Sequence, residues 1–171
     1  MTTTALATKR LFLLPPTPKD IRQQIDWLND PEVVKYSEQR HKKHDLRSQC
    51  EYLDSMAPPN HLWAIHTEDW QIGTISARVD RHNSVADLGI LIGDRSRWGK
   101  GFGLEAWKAV MDYLFASGIR KIEAGHIERN ERMAGICFKS GMELEGRRYQ
   151  HFDLGNYEYS TMILWGKLNW Q

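Results

Sequence analysis

Four of the chain's thirteen glycines fall between Gly93 and Gly103, inside the stretch ILIGDRSRWGKGFGLEAW that runs from Ile90 to Trp107. Glycine has no Cβ, so a ligand can approach its main-chain N–H closely and the chain can turn through left-handed conformations. An apolar run precedes the glycines and helix-forming residues follow. A helix starting there adds unpaired N–H groups and the positive end of its dipole. Together these make a nest for a phosphate or pyrophosphate. Arg95, Arg97 and Lys100 supplement it with mobile positive charge. A glycine-rich turn without a ligand is the plainer alternative.

Spacing decides which phosphate ligands fit. The nucleotide-triphosphate loop needs G-x-x-x-x-G-K-[S/T], which the stretch does not contain. The dinucleotide fingerprint needs G-x-G-x-x-G after the first strand of a parallel unit. Here Gly99, Gly101 and Gly103 read G-x-G-x-G, after several strands that pattern as antiparallel.

The elements that must position this loop can be read around it. Arg10 to Leu14 (RLFLL) patterns as a short strand closed by Pro15 and Pro16. Thr17 caps a helix that carries Pro18 at its first position and Asp20 at its positive end, with Ile21, Ile25 and Leu28 at helical spacing. NDPE breaks that helix, and a second covers Leu46 to Met56. LWAIHT, QIGTISARV and VADLGILIG are rich in branched and aromatic residues and read as strands joined by hairpin loops. After the loop, Leu104, Trp107, Val110, Met111 and Leu114 mark an amphipathic helix ended by Gly118. KIEAGHIE is a further strand, ERMAGICFKSG a shorter helix closed by Gly141, and YEYSTMILW a final strand. This order predicts one α/β layered (α+β) domain over residues 1–171, with a largely antiparallel sheet and at least one β-α-β crossover.

Composition narrows the classes. With 23 basic and 22 acidic residues the net charge is +1, so no global field recruits nucleic acid or a membrane surface. The run Arg40 to His44 is only a local positive patch. Two cysteines are too few for a disulfide framework, LFLL is too short for a secretory h-region, and no run approaches a membrane span. A reduced cytoplasmic setting is the default expectation. The seven tryptophans are assigned to core and interface packing. ILWGKLNWQ suits both a buried last strand and a dimer contact, so monomer and homodimer both stand.

RWGKGFGLEA resembles the acyl-CoA pyrophosphate loop of the GNAT superfamily of N-acyltransferases, whose core is [Q/R]-x-x-G-x-[G/A]. Trp98 takes the Gln/Arg position, as in the branch that acetylates ribosomal-protein N-termini. RLFLLPPTPKD, WLNDPEVVKY and RNERMAGICFKSGMELEG resemble, in order, that branch's first strand and turn, its first-helix exit, and the segment N-x-x-[S/A]-x-x-x-[Y/A]-x-K-x-G-F. The resemblance implies a mixed, mostly antiparallel sheet flanked by helices, with a V-shaped split between VADLGILIG and KIEAGHIE. It implies acetyl-CoA or another acyl-CoA as donor, a primary amine as acceptor and no metal. The edge of Ile90, Leu91 and Ile92 would pair with the pantetheine amides. The loop Arg97, Trp98, Gly99, Lys100, Gly101, Phe102, Gly103 and Leu104 would hold the pyrophosphate. Asn130 matches the family residue that reaches the pantetheine arm or an ordered water, although a capping asparagine reads the same locally.

Acyl transfer to an amine requires a base, an oxyanion stabiliser and a proton for the departing thiolate. The resemblance places Asp87 where many relatives carry an acid/base Glu; an outward polar residue on an alternating strand is the alternative. Glu38 and His41 fall where the branch lines its acceptor site; a solvated charge run is the alternative. The position of the frequent family tyrosine is Cys137, which is either a proton donor or an inert small hydrophobe. Water, Tyr149 or Tyr157 would then serve as the donor. The predicted reaction is direct attack in a ternary complex, with acceptors ranging over protein N-termini, small amines or polyamines, and amino sugars. A non-catalytic acyl-CoA sensor of the same fold is the second reading.

Overall fold

Capping chemistry sets most of the helix starts. In the computed structural model of the chain, which describes residues 3–169, Thr17 and Asp20 form a reciprocal capping box at the head of helix α1 (Pro18–Leu28). Asp30 then caps a four-residue helix α2 (Pro31–Val34), so the break predicted at NDPE contains a helix of its own. A 3-10 turn, Glu38–His41, leads to α3 (Leu46–Ser55), capped by Asp45.

The strands are β1 (Leu6–Ala7), β2 (Phe12–Leu14), β3 (His61–His66), β4 (Gln71–Asp80), β5 (Val85–Ile92), β6 (Lys121–Ile127), β7 (Glu143–Gly155) and β8 (Glu158–Leu168). Helix α4 (Phe102–Ala116) connects β5 to β6, and α5 (Glu131–Lys139) follows β6. They form one eight-stranded sheet in the order β1-β2-β3-β4-β5-β6-β8-β7. Every neighbouring pair is antiparallel except β5 with β6.

That exception positions the site. The parallel ladder covers only Val85–Asp87 against Lys121–Glu123. Beyond it, β5 stays paired to β4 through Ile92 and β6 stays paired to β8 through Ile127. The two central strands therefore splay, and the inner edge of Leu88 to Ile92 has no strand partner. This is the V-shaped split expected between VADLGILIG and KIEAGHIE. The core beneath it packs Trp63, Ile75 and Leu88 from the sheet with Trp107, Val110 and Leu114 from α4. Tryptophans 63 and 107 are fully buried, which agrees with a packing role for those two.

Two strands went unread in the sequence. β1 is two residues long. β7 spans thirteen residues, of which only Phe152 is buried, so it carries no apolar alternation. Its place is fixed by pairing along β8, with three register shifts.

Candidate active site

The chain leaves β5 under tight constraint. A Cβ on Gly93 would lie 1.9 Å from the ring of Trp27, so the α1 tryptophan packs directly on bare backbone there. Asp94 accepts from Ser96 N–H and from the Trp70 indole, starting a 3-10 turn over Arg95–Arg97. Trp98 then folds its indole N–H back onto the Ile92 carbonyl at 2.7 Å, while the Arg132 guanidinium lies 4.2 Å above its ring. The indole thus ties the loop to the end of β5 and to α5 by packing and one hydrogen bond.

Gly101 occupies the left-handed region at φ 83° and starts α4 with no side-chain cap. Asn130, by contrast, caps α5 by accepting from Met133 N–H at 3.1 Å. With Glu105 N–H closing on Gly101 O, the N–H groups of Phe102, Gly103 and Leu104 are the unpaired first-turn donors of a fifteen-residue helix. Arg10 braces this start from outside. It bonds Glu105 through Nε at 2.6 Å and the Lys100 carbonyl at 3.1 Å, and it lies 4.2 Å over the Phe102 ring. Burial alone would raise the Glu105 carboxyl, but hydrogen bonds from Thr8 and Arg10 outweigh it and hold the group below its ordinary value.

The split opens into a cleft of about 1440 Å³ that runs from the loop to the wall made by α1, α3 and the Glu38–His41 turn. Of the residues singled out from sequence, Ile90, Leu91, Ile92, Arg97, Trp98, Gly99, Gly101, Phe102, Gly103, Leu104, Asn130 and Glu38 all line it. Four do not. Lys100 contributes its carbonyl to Arg10 and lies outside the lining. His41 is exposed, its Nε2 3.8 Å from Glu38, and lies outside the cleft lining. Asp87 is the last residue of the parallel ladder and borders a separate small cavity with Lys121 and Glu123.

Cys137 is the clearest correction. It is 0% exposed within the core and outside the cleft lining, and burial pushes its thiol up to about 12, so it is a packed hydrophobe that holds its proton away from the cleft. Tyr149 and Tyr157 are also corrected: at 78% and 95% exposed they sit on β7 and the following turn, outside the cleft lining. The tyrosines on the cleft wall are Tyr36 and Tyr52.

Electrostatics separate the two carboxylates. Glu38 pairs with Arg40 at 2.7 Å, and Arg40 in turn donates to the Asp153 carbonyl of β7. Asp87 keeps solvent contact, yet desolvation by the surrounding strands and the Glu123 charge opposite push its carboxyl above the usual range, partly offset by Arg78. Arg78, its partner across β4, does line the cleft. On β6, His126 accepts from the Trp165 indole at Nε2, 2.9 Å away. An indole N–H only donates, so His126 carries its proton on Nδ1 and gives it to the Ile127 carbonyl at 2.8 Å. Burial depresses its pKa, and the ring is held neutral.

Other wall residues went unread in the sequence. Gln24 of α1 and Gln49 of α3 are 4% and 3% exposed and both line the cleft, as does buried His44. One signal was available: Gln24 falls between Ile21 and Leu28 on the buried stripe of α1, where a polar residue calls for a partner.

Comparison with known proteins places this geometry. Residues 10–143 match the family model described as the acetyltransferase (GNAT) domain. An uncharacterized N-acetyltransferase, p20 of Bacillus licheniformis, is 32% identical over 127 residues, covering 70% of this chain and 71% of that relative. The chain therefore belongs to the GNAT acetyltransferase family. Among solved structures, RimL, a ribosomal L7/L12 alpha-N-protein acetyltransferase in complex with coenzyme A, superposes with a TM-score of 0.83 at 16% identity, covering 96% of this chain and 98% of RimL. A spermidine N-acetyltransferase chimera built from SpeG of Vibrio cholerae and hSSAT gives 0.81 at 18% identity, over 94% and 96% of the two chains. Both show that the fold is shared. Among the described residues, no group of three or more His, Cys, Asp or Glu is placed to hold a metal, and no helix is long and apolar enough to cross a membrane.

Proposed function

We propose that the chain transfers the acetyl group of acetyl-CoA to a primary amine, by direct attack while both substrates share the cleft. The observation that carries this reading is the β5–β6 split opening onto the uncapped N-terminus of α4. The split offers main-chain groups to the pantetheine amides. The helix start and Gly101 offer N–H donors and a positive dipole end to the pyrophosphate.

The chemistry divides among this chain's own groups. An amine of ordinary pKa near ~10 reaches the cleft protonated. Glu38, on the wall, accepts that proton directly or through water. Asp87, outside the cleft lining but paired with the lining residue Arg78, is the alternative acceptor of that proton, through water. The freed nitrogen lone pair attacks the thioester carbonyl carbon, and an N–H on the unpaired inner edge of Ile90 to Ile92 stabilises the developing oxyanion. The amide C–N bond forms, the attacking nitrogen sheds its second proton to water in the cleft, the C–S bond breaks with its electron pair leaving on sulfur, and the thiolate takes a proton from water or from Tyr52 on the same wall, which solvent reprotonates. The acceptor classes supported by the fold relatives are protein N-termini and polyamines; amino sugars remain in the panel.

Titration calorimetry with acetyl-CoA tests the donor: a folded preparation that binds none would sink the proposal. Coenzyme A release is then followed against N-terminal peptides, spermidine and an amino sugar. Binding of acetyl-CoA without release of coenzyme A to any amine would establish the sensor reading instead.

A further inference from the structure

We infer that Arg10 is a positioning residue for the acyl donor: from outside the cleft it holds the Lys100–Gly101 peptide so that the Gly101 N–H faces the pyrophosphate. This rests on the acetyl-transfer reading above and gives a part in it to a residue that touches neither substrate.

Arg10 sits in the turn between the paired strands β1 and β2, and that turn is pinned before its side chain acts. Thr8 closes it, donating its N–H to the Leu11 carbonyl at 2.9 Å and accepting the Leu11 N–H on Oγ1 at 3.0 Å. Four donors then converge on the Glu105 carboxylate in the first turn of α4. They are the Thr8 O–H at 2.6 Å, the Arg10 main-chain N–H at 2.9 Å, and Arg10 Nε and Nη2 at 2.6 Å each. A guanidinium is planar and rigid, so fixing two of its nitrogens on one carboxylate also fixes the third. That third, Nη1, donates to the Lys100 carbonyl at 3.1 Å.

The effect passes through one peptide plane. The Lys100–Gly101 peptide is trans, so its C=O and N–H point in opposite directions. Arg10 and Lys100 both lie outside the cleft lining. With the carbonyl turned toward Arg10, the Gly101 N–H turns the other way. Gly101 is exposed and lines the cleft, and among the described residues its N–H has no main-chain partner. It thus joins the first-turn donors of α4, one residue ahead of Phe102. A left-handed glycine has little steric restraint of its own, so this orientation depends on a brace. Arg10 also offsets the Glu105 charge, and aim and charge are separable by substitution.

The test uses the full chain, titration calorimetry with acetyl-CoA and the coenzyme A release assay. Arg10→Met is expected to weaken acetyl-CoA binding roughly tenfold, the value of one charge-assisted hydrogen bond. The acetyl-CoA KM rises with it, while kcat at saturating donor is retained. Glu105→Gln removes the charge but leaves Arg10 an oxygen to hold, and keeps affinity within about twofold of wild type. The double variant Arg10→Met/Glu105→Gln leaves no bare carboxylate, yet stays as weak as Arg10→Met. Arg10→Lys keeps the charge without the fork and loses about fivefold; it carries the test where Arg10→Met does not fold. Thermal midpoints report the stability share separately, which is small for an ion pair this exposed. Wild-type affinity in the folded arginine variants, recovery in the double variant, or an equal loss in Glu105→Gln overturns the inference and leaves acetyl transfer standing. A wild type that binds no acetyl-CoA overturns both.

Discussion

Two helices begin at the rim of the cleft, and they begin differently. α5 opens on Asn130, whose side chain consumes the Met133 N–H. α4 opens on Gly101, whose lack of a side chain leaves the first-turn N–H groups free. The two starts differ in backbone as well as in side chain: Gly101 enters its helix from the left-handed region at φ 83°, Asn130 from φ -85°. A helix start left open beside a splayed strand keeps donors free for an anion, the role proposed for α4; a capped one is an anchor. The contrast extends to the two halves of the cleft. The phosphate half is built from main chain, braced by Arg10 and Trp98. The opposite half is built from side chains on α1, α3 and the turn between them.

Giving α4 the kind of cap that α5 has should produce the largest effect. Gly101→Asp can occupy the left-handed region, since Asp tolerates it better than most residues, and its carboxylate both fills first-turn donors and repels a pyrophosphate. Losing two charge-assisted hydrogen bonds lowers acetyl-CoA affinity on the order of 100-fold, as read by calorimetry. An affinity within a factor of a few of wild type would remove α4 from the phosphate site.

Uncapping α5 should do the reverse. Asn130→Ala costs about 1 kcal/mol of stability in urea denaturation, the usual worth of such a cap, with acetyl-CoA affinity nearly unchanged. A tenfold loss of affinity at constant stability would instead mean that Asn130 holds the donor through its side-chain amide.

The smallest effect concerns the vertex. The Asp87 carboxyl is raised in the folded chain relative to its ordinary 3.8. The folded state therefore holds the proton to higher pH than the unfolded state does. Its contribution to stability falls as pH rises from near 3.8 through the folded value, and levels off above it. Asp87→Asn removes that dependence. The variant should gain well under ~1 kcal/mol at neutral pH, because a solvated carboxyl is screened, and nothing in acid. Denaturation midpoints measured at both ends of the window check the sign; a variant less stable at neutral pH would show that the Arg78 pairing dominates.

The glycine loop was legible because glycine at a left-handed turn has few substitutes, and its neighbours carry strand and helix periodicity on either side. The two strands and the helix between them were legible from pattern, and the split between them came from the family resemblance. The other half was harder. Gln24, His44 and Gln49 come from three elements, and nothing in their spacing signals that the wall of the cleft assembles them. Cys137 shows the limit of a positional match: the segment aligns with the family pattern, but helix phase turns its sulfur into the core. β7 was unreadable for another reason. A strand with one buried residue in thirteen has no period to detect, and only its partner β8 gives it a place.

The proposed donor cradle has a further consequence for how this chain can change. A main-chain N–H is deleted only by substitution with proline, and otherwise only its direction can be disturbed, at a few glycines. Each contact on the opposite wall, by contrast, is one substitution from loss or replacement. Laboratory evolution toward a new acceptor could therefore draw on α1, α3 and the Glu38–His41 turn at little risk to donor use, and libraries confined to those segments should retain acetyl-CoA binding in most members.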